Sequence, residues 1–96
     1  MRERARQTVG RDEAETIAVE ALGYLAGRPE ELSRFLALAG LGPTNLRQAA
    51  SDPGFLAGVL GFLLQDEPLL LAFAAEAGLS PATVAEAGRA LGAGHE

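Results

Sequence analysis

Phe35–Ala49, FLALAGLGPTNLRQA, and Phe73–Ala87, FAAEAGLSPATVAEA, read as one segment written twice. Phe, Ala, Ala, Gly, Leu, Pro and a branched apolar residue (Leu46, Val84) recur at an offset of 38. In each copy an apolar helix runs into a glycine (Gly40, Gly78) suited to the left-handed position that ends a helix. The leucine that follows is placed for the hydrophobic contact of a Schellman end, and the proline suits the first turn of a new helix. Upstream the match continues at an offset of 39, where Leu25, Pro29 and Leu32 fall on Leu64, Pro68 and Leu71. The simplest physical reading is two three-helix repeats, about 12–50 and 53–92. Neither copy is large enough to bury its apolar faces alone, so the two are expected to pack together with pseudo-two-fold symmetry. Two repeats are too few for an open solenoid.

The remaining punctuation agrees. Asp12 and Glu15 have capping-box spacing and open a run in which Ile17, Ala21, Tyr24 and Ala18, Leu22, Leu25 recur at helical spacing. Gly27 ends it, Pro29 begins the next helix, and Leu32, Phe35, Leu36 and Ala39 form its stripe. Pro43 restarts a short helix carrying Leu46, Ala49 and Ala50. Asp52-Pro53 and Ser80-Pro81 each place a capping side chain before a first-turn proline, and Asp66-Glu67-Pro68 launches the helix between them. Val84, Ala87 and Leu91 share a face of the last helix, which Gly92 ends. Nothing alternates at period two. The expected fold is all-α, a compact bundle of about six short helices. It forms one domain over 12–92, between a flexible arginine-rich arm at 1–11 and a short tail at 93–96.

Composition narrows the function classes. The 96-residue chain has no cysteine and no lysine, and its one histidine, His95, stands next to the C-terminus. Disulfide frameworks, zinc-thiolate sites, thiol or Schiff-base nucleophiles and His-based triads are thereby excluded. The carboxylate pairs Glu30-Glu31 and Asp66-Glu67 fall in first turns, where they favour the helix dipole, and have no partner to set their pKa values apart. The glycines do not form a phosphate loop. No enzyme, cofactor or metal site is expected. Residues 1–11 hold four arginines against Glu3, a net of +3, while 12–96 hold four arginines against twelve carboxylates, a net of −8. An acidic body argues against phosphate recognition, so nucleic acid is not the expected partner. The apolar runs Phe55–Leu64 and Leu69–Ala75 are split by Gln65, Asp66, Glu67 and Pro68, so neither spans a membrane, and the cytoplasm is the default location.

Two surfaces compete for function. Leu69, Leu70 and Leu71 point about 100° apart on a helix, so one buried stripe cannot hide all three. The neighbouring helix lacks charge from Gly54 to Leu64, and its glycines would let another backbone come close. Leu69, Leu70, Phe73, Gly58 and Gly61 are therefore the candidate interface, for a protein partner or a homodimer. The alternative rests on Ala74–Leu91, which resembles the helix-turn-helix of bacterial repressors. Its second helix offers a base edge only Arg89, with Glu86 one turn away. The first copy offers Asn45, Arg47 and Gln48. That the corner occurs twice favours a purely architectural role.

ETIAVEALGYLAGRPEELSRFLALAGLGPTNLR and PGFLAGVLGFLLQDEPLLLAFAAEAGLSPATV together resemble a family of short α-proteobacterial proteins, domain of unknown function 3572. The resemblance covers about residues 12–92 and is marked by the paired GLxP turns and the FLLxDExLLLAFA segment. It implies a small cytoplasmic helical protein and carries no activity or catalytic residues to transfer.

Overall fold

A computed structural model describes residues 9–42 and 46–92, with the backbone alone for Leu46 and Arg47. It contains α1 (Arg11–Ala26), α2 (Pro29–Ala39), a single turn α3 (Leu46–Ala49), α4 (Pro53–Leu64), α5 (Glu67–Ala77) and α6 (Pro81–Leu91). There are thus five helices of 11 to 16 residues and one turn of four, with no strand among the described residues.

The sequence signals account for most boundaries. Asp52 caps α4 by accepting the Gly54 N–H at 2.9 Å, Asp66 caps α5 through Leu69 N–H at 3.2 Å, and Ser80 caps α6 through Thr83 N–H at 3.1 Å. α1 departs from expectation. It starts at Arg11, with Gly10 in the cap position and no side-chain cap, so Asp12 lies inside the first turn. There it favours the helix dipole instead of capping. Arg11, counted with the arm from sequence, is the first residue of the helix.

The two GLxP corners fold alike as far as the leucine. Gly40 (φ 73, ψ 29) and Gly78 (φ 72, ψ 30) are left-handed, and Leu41 N–H and Leu79 N–H reach back to the carbonyls of Leu36 and Ala74 at 3.0 and 2.8 Å. Beyond that point the copies diverge. Ser80 supplies a capping oxygen, whereas the equivalent Gly42 has no side chain to supply one. Asp52-Pro53 then starts a new helix and stops α3 after one turn. Pro43 and Thr44, which open the first-copy turn, lie outside the described residues.

The centre of the molecule is the trio α1, α4 and α6, each packed on the other two. α1 contributes Ala14, Ala18, Ala21 and Leu25 at helical spacing, all fully buried. Leu60 and Leu63 of α4 and Val84 and Ala87 of α6 meet them. Small residues on α1 and α6, with Gly88 also buried, let these helix axes approach closely. α2 lies against α1 and α4, and α5 packs against all three central helices. No buried polar or charged residue interrupts the core among the described residues. No single helix is long and apolar enough to cross a membrane; α4 and α5 are bent by 110° at Gln65–Asp66.

Candidate protein-interaction surface

α5 is the helix whose three consecutive leucines carry apolar surface beyond a single stripe. Its capping by Asp66, with Pro68 in the first turn, fixes where each leucine points. Leu69 turns inward and is 7% exposed, Leu70 is half-buried, and Leu71 is 46% exposed. Phe73 and Ala74 complete the inner face at 2% each. On the outer face Pro68, Leu71, Ala72 and Ala75 are exposed and recur at i, i+3, i+4 and i+7, the spacing of a helix-docking stripe. Glu67 and Glu76 are exposed on either side of it.

This placement corrects two of the expected interface residues. Leu69 and Phe73 belong to the core of the single chain and cannot form a contact surface without unfolding α5. The ring of Phe73 meets that of Tyr24 edge-on, with centroids 5.5 Å apart, which holds α5 against α1. Leu71, absent from the expected set, is the leucine left outside. The signal for it was present in the four-residue stripe, but sequence alone does not say which apolar face of such a helix looks inward.

Beside the stripe, between α1 and α5, runs a shallow groove of about 380 Å³ lined by Glu20, Gly23, Tyr24, Phe73, Glu76 and Ala77. Arg28 stacks over the Tyr24 ring at 4.4 Å. The Tyr24 hydroxyl is buried with no hydrogen-bond partner among the described residues.

Of the glycines proposed for close approach, Gly61 is half-buried and Gly58 is exposed, on a second depression of about 330 Å³ that Phe35, Leu41 and Phe55 also line. A methyl group built at Gly58 meets nothing within 4 Å. Gly58→Ala is therefore expected to stabilise the protein by about 0.5–1 kcal/mol, because it relieves the entropic cost of a mid-helix glycine without a clash. Urea denaturation checks it; a loss of stability would show that the close packing lies within the chain.

The alternative DNA contacts are not assembled into a basic surface by the described residues. Arg89 is paired with Glu86 on the same face of α6. Gln48 is exposed on the single turn α3, its carbonyl accepting from Ser51. Asn45 and the side chain of Arg47 lie outside the described residues. Among those described, no three His, Cys, Asp or Glu side chains stand together as a metal site.

Comparison with known proteins follows the same lines. The family model described as protein of unknown function (DUF3572) matches residues 11–94. The chain belongs to the DUF3572 family. Its matched region begins at the first residue of α1 and takes in every described helix of this DUF3572 protein. No curated protein and no solved structure matches it.

Proposed function

We propose that this DUF3572 protein is a non-enzymatic, cytoplasmic interaction module that works by protein–protein contact through the outer face of α5. The observation that carries the reading is the exposed stripe Pro68, Leu71, Ala72 and Ala75 on a helix whose opposite face is already buried in the core. An apolar stripe left in water on the far side of a buried helix face is a surface for a protein cover. That cover is either another protein or a second copy of the chain.

The architecture behind it is read as two three-helix repeats related by a pseudo-two-fold axis. The matched geometry at Gly40 and Gly78 supports this, as does the way α1 with α2 parallels α4 with α5. Helix-turn-helix DNA binding through Asn45, Arg47, Gln48 and Arg89 is the alternative; the pairing of Arg89 with Glu86 weighs against it.

The test compares wild-type protein, Leu71→Glu and Leu38→Glu as baits in a lysate of the source cells. Leu38 is the control, since it is 75% exposed on a different helix. Proteins retained by wild type and by Leu38→Glu but lost with Leu71→Glu are the expected result. Retention that ignores both substitutions would remove α5 as the contact surface.

A further inference from the structure

We infer that the partner of the α5 face is a basic amphipathic helix from another protein, its apolar stripe flanked by Lys or Arg. This rests on the reading of that face as an interface and adds the chemistry of its occupant.

The argument is one of charge. At 100° per residue, Glu67 and Glu76 each lie about 90° from the centre of the Pro68, Leu71, Ala72, Ala75 stripe, on opposite flanks. Both are exposed, and α5 has no Lys, Arg or His of its own. Glu20, on α1, shares the groove with Glu76 and adds a third carboxylate. None of the three belongs to the ion pairs formed among the described residues, which join Arg34 to Asp66 and Arg89 to Glu86. Glu67 in a first turn has an explanation within the helix. Glu76 does not, because a carboxylate in the last turn faces the negative end of the dipole.

A second copy meets this surface badly. An α5–α5 contact across a two-fold axis is built from one face used twice, so its rim would hold Glu20, Glu67 and Glu76 twice, outnumbering the Arg28 that each copy stacks over Tyr24 beside the groove. A partner with basic flanks meets these carboxylates with opposite charge. The groove between Glu20 and Glu76 is walled by the half-buried Tyr24 and Ala77, apolar surface along which the methylene stem of a Lys or Arg packs while its head reaches the carboxylates.

The experiment uses the full chain and two synthetic helical peptides with one Leu/Ala stripe at i, i+3, i+4 and i+7. One peptide carries Lys and Arg on the flanks and the other carries Glu. Binding is followed by fluorescence anisotropy, and the contact is mapped by amide chemical shifts. The basic peptide is expected to bind about tenfold more tightly, to shift the amides of α5, and to lose that advantage as salt rises. In Glu20→Gln/Glu67→Gln/Glu76→Gln protein, with the helical circular dichroism unchanged, the advantage should vanish. Equal binding of both peptides that Leu71→Ser abolishes would overturn the basic preference while leaving the α5 face as the interface. No binding of either peptide would overturn the inference, and so would a dimer in sedimentation equilibrium that Leu71→Ser dissociates.

Discussion

Phe73→Ala lowers the unfolding free energy by about 3–5 kcal/mol, the cost of truncating a large buried aromatic when the surrounding core closes only partly over the cavity. Phe73 is 2% exposed, and its ring contact with Tyr24 is the aromatic tie between α5 and α1. A domain of this size is stable by roughly 5–15 kcal/mol, so the variant should sit near the edge of folding at physiological temperature. Leu71→Ser, two residues away and 46% exposed, is expected to change stability by no more than about 0.5 kcal/mol. Urea melts of the two variants side by side decide which residue is core and which is surface. A large loss at Leu71 with little at Phe73 would mean that α5 is rotated relative to the orientation described.

Asp66→Ala is the second large effect, expected to cost about 1–2 kcal/mol. Asp66 does two things at the corner between α4 and α5. One carboxylate oxygen accepts the Leu69 N–H and caps α5, and the other accepts from Arg34 Nη2 at 3.1 Å. Loss of an N-cap is worth about 1 kcal/mol. The ion pair adds less than about 1 kcal/mol, because the Arg34 and Asp66 side chains remain 52% and 32% exposed and are screened by water. Arg34 also lies over the Phe62 ring at 5.2 Å, so the pair fixes α2 to the end of α4. Asp66→Asn keeps a capping oxygen and should recover about half of the loss. A double-mutant cycle with Arg34→Ala then isolates the pair. If Asp66→Asn is as damaging as Asp66→Ala, the charge and not the cap is what holds the corner.

How much was legible beforehand depends on the range of the interaction. Gly40, Gly78 and Gly92 were readable as left-handed helix ends, because only a residue without Cβ takes positive φ there cheaply. Asp52 and Ser80 were readable as caps, because each immediately precedes a first-turn proline, whereas Asp66, expected in the first turn beside Glu67, is the cap of α5. The start of α1 at Arg11 has no such signal, since an acidic residue in a first turn and one in a cap look alike in sequence. The Arg34–Asp66 contact spans 32 positions and has no local signature.

The candidate surface shows the same limit. The three leucines and their 100° spacing revealed that α5 carries more apolar surface than one stripe can hide. They did not reveal that Leu69 and Phe73 face inward and Leu71 outward, because every turn of this helix offers an apolar residue to either side. The repeat would have given Leu71 the surroundings of Leu32, yet Leu32 is half-buried and Leu71 exposed.

By itself the sequence determined that this protein is helical, where its helices stop, and that its chemistry lacks thiols and amine side chains. Those properties rest on backbone conformation and composition, which act over a few residues. Only the tertiary structure decided that α1, α4 and α6 form the centre and which side of α5 is left for a partner. Burial is a competition among all the apolar faces for one small core, and its outcome depends on how distant helices pack together.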